Sequence, residues 1–198
     1  KADRLTIHWP SGNIQILENI PSGYDYTISE KSELKEIVDK KAQMFKKGEN
    51  SIANIYHYEK YFDDFKRENL LPNKLSQLGS GVSWGDIDGD GDDDIYIGGS
   101  SGFAGRIFTN NGSGNFSNMF QFVFKVDAGY EDMGSIFIDP DSDGDLDLFV
   151  VSGGVECNAG DKILQDRLYI NDGSGNFAKA ASGLIPRINS SGGVVAAA

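Results

Sequence analysis

A single cysteine, Cys157, excludes any internal disulfide in this 198-residue chain. Its loop, GGVECNAGD, brings no histidine near it in sequence, which argues against a nucleophilic thiol. Positive charge is also scarce. There are 18 Lys and Arg against 30 Asp and Glu, a formal net charge of -12, and that balance argues against a nucleic-acid partner. No apolar run approaches the length of a membrane span, so no membrane insertion is expected of this segment. Lys1 opens a charged, strand-like stretch without the pattern of a signal peptide. If the protein is exported, its signal is expected outside these residues. The closing SGGVVAAA shows no stop or cap, and the chain reads as an excerpt from a longer protein.

The acid is concentrated. Residues 86–94 and 139–147 hold eleven of the thirty acidic side chains and no Lys or Arg, and the remainder of the chain is close to neutral. The excess negative charge therefore marks two places and is not a general solubility device.

Around those places the pattern changes three times. Residues 4–28 contain three short strand-like runs, RLTIHW, NIQIL and YDYTI, separated by Pro10-Ser11-Gly12 and Pro21-Ser22-Gly23. Leu34, Ile37, Val38, Met44 and Phe45 then recur at helical spacing, predicting a packing helix over 30–47 with Gly48 as its stop. In YHYEKYFDDFKRENLLP, residues 56–72, Tyr58, Phe62 and Phe65 fit one face of a helix that Pro72 would end. On such a helix His57 and Asp64 would share a face, with Glu59 and Asp63 close by. A capped, salt-bridged linker accounts for that cluster more simply than a catalytic or metal role. From Gly79 onward the pattern is short β runs and Gly-rich turns.

This last part repeats itself. VSWGDIDGDGDDDIYIGG answers to SIFIDPDSDGDLDLFVVSGG, and GRIFTNNGSGNF answers to DRLYINDGSGNF. Asp86 and Asp139 lie 53 residues apart, a period suited to one four-stranded propeller blade. Asn111-Gly112 and Asp172-Gly173 read as hairpin turns rather than phosphate cradles, because no helix follows them. The fold class expected is mainly β. It comprises a partial β-propeller, two blades and the start of a third, preceded by a small β segment and one or two short helices. The domains expected are 1–30, a β segment; 31–78, a helical linker; and 79–198, the propeller repeats. Within the last, blade 1 covers about 79–131, blade 2 about 132–190, and blade 3 begins at 191–198.

Each acidic loop supplies a carboxylate at every second residue and then bends at a glycine. A hard cation such as calcium takes six to eight oxygens, and this spacing can wrap one. In the first loop Asp86, Asp88 and Asp90 occupy positions 1, 3 and 5, Gly91 permits the bend, Asp92 offers its backbone carbonyl, and Asp94 closes the shell. In the second, Asp139, Asp141, Asp143, Gly144, Asp145 and Asp147 repeat the arrangement. Two calcium sites are expected. Magnesium prefers a rigid octahedron and keeps its waters, and zinc would want His or Cys nearby. An EF-hand is excluded, since position 12 holds Ile97 or Val150 and the flanking runs, DIYIGG and DLFVVSGG, are strand-like. Asp93 falls outside the ligand pattern.

These loops, DxDxDGxxD followed by an apolar strand, together with LYINDGSGNF, resemble the FG-GAP/VCBS repeats of integrin-α-type propellers over residues 79–198. Trp9-Pro10-Ser11-Gly12 resembles the turn that marks the end of an ASPIC/UnbV domain, over about residues 1–30. The stretch HYEKYFDDFKRENLLPNKLSQLG resembles the linker into a further propeller in long bacterial surface proteins. The resemblance implies an exported, extracellular or cell-surface protein that binds calcium structurally, has no catalytic residues, and contacts an extracellular protein or glycan. Part of a secreted polysaccharide-active enzyme, and a purely structural spacer, are the alternatives.

Overall fold

The computed structural model describes residues 2–30, 35–36 and 55–197. The chain divides into two compact units, Lys1–Glu49 and Asn50–Ala198. In the first, β1 (Ala2–His8) and β2 (Ile14–Ile20) form an antiparallel hairpin with His8 opposite Ile14 and Ala2 opposite Ile20. The Pro10-Ser11-Gly12 turn closes it. Trp9 N–H donates to Asn13 O and Gly12 N–H to Trp9 O, both at 2.9 Å. The Trp9 indole Nε1 donates to Gln15 Oε1 at 3.0 Å. A second pairing joins β3 (Tyr26–Thr27) to β4 (Lys35–Glu36). The helix predicted over 30–47 lies outside the described residues apart from Lys35 and Glu36, whose backbone pairs as a strand.

The second unit holds two four-stranded antiparallel sheets. One contains β5 (Val82–Gly85), β6 (Asp94–Ile97), β7 (Arg106–Asn110) and β8 (Phe116–Met119) in that order. The other contains β9 (Asp132–Ile138), β10 (Asp147–Ser152), β11 (Arg167–Asn171) and β12 (Phe177–Lys179), again in chain order. Both are up-and-down meanders, the fold is mainly β, and the two sheets have the arrangement of a partial propeller. The first strands lie side by side: Ser83 Oγ donates to Ser135 Oγ at 2.6 Å, and Gly81 N–H to Asp132 O. Gly81 is required at this approach. A Cβ there would sit 2.6 Å from the Ser135 backbone nitrogen.

Strand side chains alternate between faces, so each sheet offers two surfaces. Ile87, Tyr96 and Ile107 of the first repeat meet Leu148, Val150, Tyr169 and Phe177 of the second. Between β8 and β9 the short helix α2 (Phe122–Val126) inserts Phe124 into this seam. Its ring lies 5.4 Å from that of Tyr96 and 5.0 Å from that of Tyr169, both edge-on. The opposite face of the first sheet buries Ile95 and Phe108 but leaves Trp84, edge-on to Phe116, about half exposed.

Residues 55–63 are not the helix expected. Only α1 (Asp64–Arg67) is helical. The preceding segment has no regular structure, and its backbone is bonded elsewhere: Arg106 donates to Tyr56 O and Ser100 Oγ to Tyr58 O. The Tyr58 ring stacks on Phe103 at 5.7 Å. Tyr58, Phe62 and Phe65 therefore do not share a helical face.

Candidate metal centres

In each repeat the acidic loop joins the first two strands, so the pairing of Gly85 with Asp94, and of Ile138 with Asp147, fixes both of its ends. Asp86 folds its own loop. Its Oδ1 accepts N–H groups of Gly89 at 2.8 Å and Asp90 at 3.1 Å, and its Oδ2 accepts Gly91 N–H at 2.9 Å. Asp139 does the same with Ser142 at 2.7 Å and Gly144 at 3.2 Å. Gly91 and Gly144 turn the chain at φ 93° and 97°, a region that side chains disfavour. Asp90 Oδ1 then receives Asp92 N–H at 2.9 Å, and Asp143 Oδ1 receives Asp145 N–H at 3.0 Å.

The turns draw carboxylates together. One oxygen each from Asp86, Asp88 and Asp94 lies within 4.8 Å of the other two, and the same holds for Asp139, Asp141 and Asp143. The Asp92 and Asp145 side chains point elsewhere, against Gly112 and Gly173 of the following hairpin turns. Asp94 and Asp147 are fully buried. Asp94 accepts N–H groups of Ile87 at 3.1 Å and Asn110 at 2.8 Å. Asp147 Oδ1 accepts Asn171 N–H at 2.8 Å, while its Oδ2 is buried without a partner, as is Asp88 Oδ1. A buried oxygen left so is costly unless something else meets it. Burial pushes the pKa of Asp88, Asp94 and Asp147 up, and the neighbouring aspartates add to it. A divalent cation would reverse that balance. In each loop three carboxylates converge, Asp90 and Asp147 lying outside the converged groups, and each loop holds one buried orphan oxygen, Asp88 Oδ1 in the first and Asp147 Oδ2 in the second; such hard oxygen donors fit a divalent ion.

Asn171 joins the two loops. Its side-chain amide donates to Ile87 O at 2.7 Å in the first and to Leu146 O at 3.2 Å in the second. Away from the loops, a polar network crosses the seam. Asp132 Oδ2 accepts Tyr96 O–H at 2.8 Å and Gly99 N–H at 2.7 Å, and its Oδ1 is paired with the buried guanidinium of Arg167. Arg167 also donates to Ser152 Oγ and Tyr169 Oη, and Tyr169 O–H donates to Asp127. Burial opposes the Arg167 charge, yet Asp132 and the two tyrosines together push its pKa up.

The linker cluster is partly assembled. His57 Nε2 lies 2.7 Å from Glu59 Oε1, and its Nδ1 lies 3.3 Å from Ser80 Oγ. Asp64 is instead buried beneath the loop that follows α1, accepting Leu75 and Ser76 N–H groups at 3.0 Å. A serine, histidine and glutamate in line invite comparison with a nucleophilic triad, but the Gly81 N–H that follows Ser80 is taken by Asp132 O, leaving that amide unable to hold an oxyanion. Sequence reasoning missed Glu131 and Glu156, which face Glu59. Burial, with those like charges, raises the Glu131 pKa from 4.5 to about 7. Glu59 Oε2 and Glu156 Oε1 are buried without partners.

A pH dependence follows. The folded protein binds more protons at Glu131 than the unfolded chain does, so its contribution is complete below pH 4.5 and is lost as pH rises to about 7. Thermal melting across that interval should show wild type losing stability relative to Glu131→Gln. Parallel curves would remove the assignment.

The fold and loops define a class: a repeated four-stranded sheet carrying an acidic turn between its first two strands. Residues 86–150 match the model of the FG-GAP-like repeat. No curated protein matches the chain.

Proposed function

We propose that the chain is a non-catalytic, calcium-stabilised segment of a β-propeller in an exported surface protein, and that its exposed loops contact an extracellular protein or glycan. The observation that carries this reading is the pair of equivalent loops with clustered aspartates and buried, unpartnered oxygens at Asp88 and Asp147. Asp86, Asp88, Asp90 and Asp94 would hold one ion, with the Asp92 carbonyl. Asp139, Asp141, Asp143 and Asp147 would hold the other, with the Asp145 carbonyl. The ion supplies charge neutralisation and a cross-link between neighbouring strands, not chemistry. The match at 86–150 supports the reading, since such repeats are generally non-catalytic modules. The sequence Trp9-Pro10-Ser11-Gly12, which forms the turn of the β1–β2 hairpin, is what suggests the end of an ASPIC/UnbV-like domain.

Calcium titrated into chelator-treated protein should release or absorb heat and raise the melting temperature. At a hundredfold excess over Kd the gain is about 2.7 kcal/mol per site, and a domain of this size gains roughly 2–4 °C per kcal/mol. Asp86→Asn and Asp139→Asn should each remove one site. The absence of both heat and shift would overturn the proposal.

The convergence of Glu59, Glu131 and Glu156 favours one competing reading, a polysaccharide-active enzyme. Hydrolysis of a polysaccharide panel that disappears in Glu131→Gln would establish it in place of the first.

A further inference from the structure

The outer strand of the second sheet stops early. β12 ends at Lys179, opposite Tyr169; just beyond it Ala180 N–H reaches back to Leu168 O, and the chain does not pair with the sheet's neighbourhood again until Asn189 bridges Gln165 and Gly192 N–H bonds Ser152 O. The chain then leaves the sheet and returns as a strap over residues 181–189. Between strap and sheet lies a notch of about 420 Å³.

The repeat provides an internal control. GRIFTNNGSGNF corresponds to DRLYINDGSGNF, and carrying that register forward sets Met119-Phe120-Gln121 against Ala180-Ala181-Ser182. At that place in the first sheet the cavity is about 280 Å³ and is lined by the larger side chains. The second repeat has trimmed the same position to two alanines and a serine. Where the first sheet continues into α2, the matching strap residues include Pro186, which lacks the N–H a helix would use.

The charge of the notch runs against that of its unit. Residues 50–198 contain ten Lys and Arg, and four of them, Lys162, Arg167, Lys179 and Arg187, line it. Arg167 is committed to Asp132, and Lys179 to Asp127 at 2.7 Å. Among the described residues no carboxylate lies within ion-pair distance of Lys162 or Arg187. Asp166, which shares the lining, receives Ser152 N–H at 2.9 Å. The backbone on either side of Arg187 is clamped by one side chain: Gln165 Nε2 donates to Pro186 O, and Gln165 Oε1 accepts Ile188 N–H, both at 3.0 Å. The strap is thus anchored, with one cation, Arg187, on it, while Lys162, from the short helical turn before β11, also lines the notch.

We propose that this notch binds a carboxylate-bearing sugar, with Lys162 and Arg187 meeting the carboxylate and Leu168 and Ile185 meeting a C–H face of the ring. The inference rests on the reading of the chain as a glycan-contacting module. A guanidinium fork and an ammonium suit a planar carboxylate. The volume lies within the range of small-molecule sites, roughly 300–1,000 Å³, and exceeds what a bare anion needs. The lining combines Leu168, Ala180, Ala181 and Ile185 with Ser182 and Asn189, which suits a ring with both C–H and hydroxyl surfaces. A peptide adding itself as a strand would find the Leu168 carbonyl already taken by Ala180. An aromatic ligand would find Tyr130 already covered by Arg167, 4.2 Å from its centroid, and by Lys179 at 5.1 Å.

Calorimetric titration of the whole chain with digalacturonate, a neutral digalactoside and a tripeptide with a free C-terminal carboxylate tests this, in chelated and in calcium-containing buffer. Digalacturonate should bind at least about tenfold more tightly than either of the others. The Lys162→Ala/Arg187→Ala double variant should lose about tenfold or more while melting as wild type does. Ala181→Phe, which restores the bulk of Phe120, should block binding. Equal binding of the neutral sugar, tighter binding of the peptide, undiminished binding by the double variant, or no binding of digalacturonate would each overturn the proposal. The calcium-dependent melting shift is read on the same samples. A shift without sugar binding defeats this site alone, and sugar binding without a shift defeats the calcium reading alone.

Discussion

Asp132→Ala should lower the free energy of unfolding by about 3–5 kcal/mol, measured by denaturant titration. Asp132 is 2 % exposed and its partner Arg167 is 3 % exposed, so neither is screened by water. Removing the carboxylate leaves a buried guanidinium with two neutral oxygens, Ser152 Oγ and Tyr169 Oη, and no anion. Tyr96 O–H and Gly99 N–H lose their acceptor in the same step. The cost is therefore that of stranded donors more than of a lost attraction. Replacing both partners with apolar residues, Asp132→Leu with Arg167→Met, should recover part of it, because no unpaired charge then remains. A loss under about 1 kcal/mol for the single variant, the value of an exposed pair, would show that water reaches the seam.

Phe124→Ala should cost a similar amount, about 3–5 kcal/mol, for a different reason. Phe124 is 3 % exposed and touches the rings of Tyr96, Tyr169 and Phe177, so its removal leaves a cavity bounded by both sheets. α2 is only five residues long and has no side-chain cap, so packing of this ring, with the Gln121 side chain bonded to Gly175 O and Phe177 N–H, holds it in place. Phe124→Leu should retain much of the stability. Amide exchange at Tyr96 and Tyr169 should quicken in the alanine variant before exchange elsewhere does. A stability change near zero would mean that neighbouring residues collapse into the space.

The repeats were readable because their signals are local. Spaced aspartates, a glycine where φ is positive, and an Asn-Gly or Asp-Gly turn all act within a dozen residues. Both sheets appear where those signals place them. The seam was not readable. Arg106 and Arg167 occupy the same position in the repeat, yet only Arg167 meets a buried carboxylate, and that carboxylate lies 35 residues earlier in the chain. Nothing in the period distinguishes the two arginines. Residues 55–63 carry aromatic spacing that suits a helix, but Arg106 and Ser100 take their carbonyls, and these distant bonds override local preference. Of the loop aspartates, the spacing indicates which could converge. It does not indicate that Asp92 and Asp145 turn against the next hairpin, because Gly112 and Gly173 lie some twenty or more residues further on.

The strand order described for the second unit also governs the route by which it folds. Every pairing within each sheet joins neighbours in the chain, so each sheet can assemble by short loop closures. The contacts across the seam, from Gly81 and Ser83 to Asp132 and Ser135 and from Ile87 to Asn171, span far longer separations. Formation of the two meanders before their docking is the order this topology predicts. On that order, losing Asp132 or Phe124 should speed unfolding and leave the folding rate nearly unchanged, which the two arms of a denaturant chevron would show.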